Sequence, residues 1–288
     1  MARNRSIAFA CFGRIGVVRE DGSGEHYPTF DIPGQESWAL GPAFSDGERI
    51  ILTSRESAAI EKEVIGDLTT HTWVLDTRTG RIAEILTRDR PSKYIVCGAL
   101  IAGEDRVLVQ AMHDGEQRLH TMRLDGSDRF DLTPPGAGFH YGVEVSPDGG
   151  RVACHVTGGK FSDRYGPLPH PSYSICVIDL ASGAKTVVTG DPDHLYFGPG
   201  WSADARELAF IDCRYKTDRA HYWADLCVAD VASRAHRVVT EGQSHWYGTS
   251  YGPADARGGG SNMTRWVGAE LSYTRKLPGS HPDCEHHP

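Results

Sequence analysis

Phe139-His140-Tyr141-Gly142-Val143-Glu144-Val145-Ser146 builds a short apolar strand around a glycine and, after three intervening residues, ends on a serine. The figure returns as Trp38-Ala39-Leu40-Gly41-Pro42-Ala43-Phe44-Ser45 and as Leu195-Tyr196-Phe197-Gly198-Pro199-Gly200-Trp201-Ser202, with weaker copies at Gly98 and Gly248. Each full copy continues in one order. A polar turn (Asp46-Gly47, Pro147-Asp148-Gly149-Gly150, Ala203-Asp204) leads into a second apolar run. A third run ends on an apolar residue and Asp, at Asp76, Asp125, Asp179 and Asp230, and a fourth closes on Thr87, Thr133, Thr189 and Thr240. Repetition at a fixed period decides the architecture before any motif does.

Four short strands recurring about every 45 to 55 residues describe one blade of an all-β propeller, whose twisted sheets stack face to face. A β-sandwich would not repeat a four-strand unit in register. The Asp after each third strand is expected to be structural, because its carboxylate can bond backbone amides two residues on and fix the next turn. Four units are complete (about 38–87, 94–133, 139–189 and 195–240), and a fifth, about 242–275, supplies only two strands. Residues 6–30 supply strands without a first one, so joining them to the C-terminal pair would give a composite blade and a ring of five. The alternative, slightly favoured, is part of a larger, seven-bladed ring, because an unpaired sheet edge invites aggregation. A single propeller domain is expected over 1–275 and an irregular tail over 276–288.

The chain is 39% hydrophobic, with mean hydropathy −0.39, and has no apolar run near the roughly 18 residues of a membrane span. Neither a membrane role nor a convincing cleavable leader is expected, and the protein reads as cytoplasmic. Seven cysteines, an odd number scattered mostly through strands, fit buried reduced thiols. A net charge of −8 argues against broad nucleic-acid binding, whereas a local cluster of Arg and His could still attract a small anion.

In a propeller the first strand of each blade lines the channel. The residues beside each repeat glycine are Trp38, Tyr94, His140 with Tyr141, Tyr196, and His245 with Tyr247. They either form a sugar-binding surface or simply plug the channel. The second strands run out into Thr53 to Arg55, Gln110 to His113, His155, Asp212 to Arg214, and Thr274-Arg275, a basic enrichment that suits a carboxylate or phosphate. The long connection from Thr157 through Pro171 is a candidate border of the pocket.

Val145-Ser146-Pro147-Asp148-Gly149-Gly150-Arg151-Val152-Ala153 resembles the blade signature of TolB-like propellers, and the run from Trp201 to Phe210 is a looser copy. Within that group the placement of His and Arg is similar to the propeller uronate lyases of the oligogalacturonate and ulvan type. Those families imply two His from strands one and two of a blade, then Tyr and Arg from the next, an order met here by His140, His155, Tyr196 and Arg214. The activity implied is β-elimination on uronic-acid oligosaccharides. Arg214 with His155 would hold the carboxylate, and Tyr196 and His140, in either order, would serve as base and acid. The families also imply a divalent metal, for which Gln243, His245, His221 and Cys213 are the candidates. His and Cys suit zinc, whereas Gln and His with water suit manganese. The competing expectation is a non-catalytic TolB-like propeller that presents its rim to a protein or peptide.

Overall fold

The computed structural model describes residues 6–11, 14–56, 70–85, 93–101, 103, 105–158, 172–216, 221–240 and 265–272. Among these residues are four antiparallel sheets of four strands, each formed by consecutive strands in meander order. They are β3 (Gln35–Ala43), β4 (Arg49–Glu56), β5 (Thr70–Asp76) and β6 (Ile82–Glu84); β7 (Lys93–Ile101), β8 (Arg106–His113), β9 (Glu116–Arg123) and β10 (Phe130–Asp131); β11 (Phe139–Val145), β12 (Arg151–Thr157), β13 (Ser174–Asp179) and β14 (Lys185–Val187); and β15 (Leu195–Trp201), β16 (Glu207–Lys216), β17 (His221–Asp230) and β18 (His236–Val238). The boundaries follow the four complete repeats of the sequence. Two hairpins, β1 (Ser6–Cys11) with β2 (Arg14–Arg19) and β19 (Arg265–Val267) with β20 (Glu270–Ser272), each form a two-stranded sheet of their own. No sheet among the described residues joins them into the composite blade that the repeat count suggested.

The repeat glycine has a local physical cause. In β3, β7, β11 and β15 the pairing with the next strand slips at Gly41, Gly98, Gly142 and Gly198 respectively. Each slip is a β-bulge, which bends the strand and re-aims the side chains beside it. Gly142 and Gly198 adopt φ of 63° and 64°, a region that glycine reaches without steric cost.

The turns bear out the structural role of the aspartates. Asp76 accepts from the amides of Arg78 and Thr79, Asp125 from Ser127, Asp179 from Ala181 and Ser182, and Asp230 from Ser233. The Thr79 amide and the Ser182 hydroxyl are the foremost groups holding Asp76 and Asp179 below the usual carboxylate range. The closing threonines are also structural: Thr189 and Thr240 accept from the amides of Ile175 and Leu226. Thr87 lies outside the described residues.

The chain divides into two compact units, Met1–Asp114 with Arg118–Asp131, and Gly115–Gln117 with Leu132–Pro288. Within the first, Phe44, Ile51 and Ile85 of one four-stranded sheet pack on Val107, Val109, Ala111 and Met122 of the next. Ile50, Leu52, Trp73 and Leu75 pack on Ile15 of β2. Within the second, Ala153, Ile175 and Val177 pack against Tyr196, Trp201, Leu208, Phe210 and Cys227. Trp201 also donates its indole N–H to the Glu144 carbonyl at 2.9 Å, while Arg151 lies over its ring. Middle strands buried on both faces, as in β12 and β13, are what face-to-face stacking of sheets produces. Cys154 and Cys176 stand opposite each other in that core, and burial pushes both thiols up, Cys176 to about 11.

Candidate functional site

Within the second unit, the end of the interface between the β11–β14 and β15–β18 sheets changes from apolar to polar. His155 follows two residues after Ala153 on β12, and its ring lies against the bare backbone of Gly142: a methyl group there would come within 2.4 Å of it. Nδ1 of His155 lies 3.5 Å from the Gly198 amide, the outer limit of a hydrogen bond. Tyr173 packs beside this ring at 5.9 Å between centroids. Its backbone bridges to the neighbouring sheet, donating to the His194 carbonyl and accepting from the Tyr196 amide.

Tyr196 carries the site onto β15. Its ring stacks on His194 (5.2 Å, 29°) and meets Phe210 and His236 edge-on, so all but 3% of the residue is buried. His194 Nδ1 lies 2.6 Å from Oδ1 of Asp212, which sits opposite Tyr196 on β16. Asp225 on β17 pairs with Asp212 in turn, so two buried carboxylates share one register position. Arg214 stands two residues beyond Asp212, opposite Trp223, and Cys213 stands opposite Leu195 and Ala224. His221 begins β17, opposite Lys216. Gln243, His245 and the connection 159–171 lie outside the described residues.

The structure thus brings His155 and Tyr196 to one interface and sets His140 apart from them. Tyr141, not His140, pairs with His155, and neighbours on a strand face opposite ways, so His140 lies on the other face of its sheet. There it is fully buried, with Nδ1 3.2 Å from the Gly138 carbonyl. Burial, then the charge of Lys185, pushes its pKa down to about 4, against the upward pull of the Gly138 and Gln117 carbonyls and Glu116. His140 is therefore neutral at pH 7. Two other readings from the repeat resolve as packing: Trp38 meets Phe30 and Trp73 in the first unit, and Ser54 accepts the Trp73 indole while donating to Gln35.

The sequence did not single out His194 or Asp225. His194 ends the run Asp191-Pro192-Asp193-His194, which reads as a loop, and its one signal is that it stands two residues before Tyr196, on the same side of an extended chain.

No protein-family model matches the sequence, and no curated protein does. The fold is nevertheless similar to solved propellers. An oligogalacturonate lyase from Vibrio parahaemolyticus superposes with a TM-score of 0.69 at 11% identity, over 96% of this chain and 72% of that one. An oligogalacturonate lyase in complex with manganese gives 0.62 at 12%, over 96% and 74%. TolB from Acinetobacter baumannii gives 0.52 at 16%, over 82% of this chain and 53% of that one, so the chain spans about half the length of that TolB. At these identities the likeness is one of fold: TolB-like propellers and oligogalacturonate lyases share it. Among the described residues no group of three His, Cys, Asp or Glu could hold a metal ion. No helix there is long and apolar enough to cross a membrane.

Proposed function

We propose that the chain is a propeller lyase that cleaves uronic-acid-containing oligosaccharides by β-elimination. The observation that carries this reading is the polar end of one inter-sheet interface, where His155, Tyr173, Tyr196 and the His194–Asp212 pair adjoin the strand position of Arg214. The reaction needs three things: a cation to hold the carboxylate, a base for the proton beside it, and an acid for the leaving oxygen. Arg214 with His155 is the proposed clamp. For handling the proton the sequence nominates Tyr196 and His140; Tyr196 lies at this interface, whereas His140 is buried on the other face of its sheet.

The proposal extends to one propeller domain over residues 1–275, of five blades or as part of a seven-bladed ring, with an irregular tail over 276–288. It places the protein in the cytoplasm with an anionic oligosaccharide as partner. A divalent metal, manganese or zinc, is assigned to Gln243, His245, His221 and Cys213, and no step is routed through it. Elemental analysis of the purified protein, before and after Gln243→Ala with His245→Ala, tests that assignment. Turnover of a panel of oligouronides, followed by the ultraviolet absorbance of the unsaturated product, tests the activity.

A second reading, a non-catalytic TolB-like propeller that binds a protein or peptide, is favoured by one observation. His140, His155 and Tyr196 are each less than a tenth exposed. It predicts affinity without turnover.

A further inference from the structure

Proton transfer to a substrate requires a group that is oriented by the protein yet open at its reactive atom. His140 and His155 are 0% and 5% exposed, whereas the His194 side chain is 20% exposed and sits at the margin of the same interface. Its orientation is fixed from several sides. The ring stacks on Tyr196, the carbonyl accepts from the Tyr173 amide, and the amide donates to the Asp191 carbonyl. Nδ1 is held 2.6 Å from the carboxylate of Asp212, whose own side chain is only 7% exposed. With Nδ1 donating to the Asp212 oxygen, Nε2 is the ring nitrogen left to meet a substrate. Nε2 lies 3.9 Å from the half-exposed carboxylate of Asp191.

We infer that His194, oriented by Asp212, is the proton acceptor of the elimination, an assignment that rests on the lyase reading above. Nε2 takes the proton beside the uronate carboxylate. The electron pair left behind forms the carbon–carbon double bond between C4 and C5 as the bond from the uronate C4 to the glycosidic oxygen breaks. The imidazolium then returns its proton to the leaving oxygen, which restores the neutral ring with no further reactant. Asp212 contributes by fixing the tautomer and by stabilising the imidazolium, the work a buried carboxylate does for a catalytic histidine elsewhere. Asp225, paired with Asp212 across the strands, adds a second carboxylate to the same buried position.

The test uses the full chain, with oligouronide turnover and nitrogen-15 NMR of the histidine rings. His194→Gln is expected to lower kcat by about 10² to 10⁴-fold with KM nearly unchanged. Asp212→Asn is expected to lower kcat comparably and to move the His194 proton from Nδ1 to Nε2. Melting temperatures establish that the variants are folded, and the wild-type tautomer stands as a measurement even where Asp212→Asn does not fold. An active wild type whose His194→Gln variant turns over equally would overturn the assignment alone, as would a wild-type His194 protonated at Nε2. A wild type inactive on every oligouronide would overturn the lyase reading, and the assignment with it.

Discussion

Gly142 has no room for a side chain, since any methyl group there would strike the His155 ring, and its φ of 63° is costly for other residues. Gly142→Ala is therefore expected to destabilise the fold by about 2 kcal/mol, from left-handed backbone strain and displaced packing. Chemical denaturation checks this, and an unchanged midpoint would contradict the packing described. His140, and likewise His120, is held neutral by burial, each with its pKa lowered from 6.5 to about 4. Between those values the unfolded chain takes up a proton that the folded one refuses. The stability from each is thus complete above pH 6.5 and declines as the pH falls toward 4, by roughly 3 kcal/mol per histidine. Replacing His140 by Gln should make the loss of stability between pH 7 and pH 4.5 visibly smaller. At this scale the sequence revealed residue types and blade positions but not faces. Whether His140 and His155 look the same way depends on register at the Gly142 bulge, which only the pairing of strands reveals.

Strands and turns were far more legible, because the chemistry that ends each strand is local. An Asp that bonds amides two or three residues on follows the third strand of each complete repeat, and so it leaves a periodic mark. Asp179→Ala, which strips the amides of Ala181 and Ser182 of their acceptor, should lower the midpoint of chemical denaturation. The turn after Asp230 carries a side chain where two others carry glycine. Arg234 stands at φ 61° where Gly80 and Gly183 occupy the corresponding turns at 72° and 73°. Arg234→Gly removes that strain and should stabilise the protein by up to about 1 kcal/mol, net of the greater freedom of glycine in the unfolded chain. A lowered melting temperature would count against this account of the turn. His194 shows the limit of such reading: Asp191 and Pro192 announce a turn, and the partner that makes the histidine chemically interesting, Asp212, arrives from the next strand.

The described residues form four sheets of one design and two hairpins, and the repeats foretold that design because each such sheet must bury both faces of its middle strands. The closure of a ring was not legible, since it depends on which distant strands meet rather than on any local signal. If residues 1–275 are one propeller domain, calorimetry should show a single cooperative transition in which both compact units melt together; two separated transitions would show that they fold independently. The proposed activity is likewise to be tested on the whole chain, because similarity of fold alone does not carry function. The measurement that bears on it most directly is the ultraviolet absorbance of the unsaturated product when the full chain is mixed with oligouronides, beside its Arg214→Ala variant. A rise with the wild type and none with the folded variant is the predicted result. No rise from folded wild-type protein with any oligouronide, or an equal rise from both, would contradict the account.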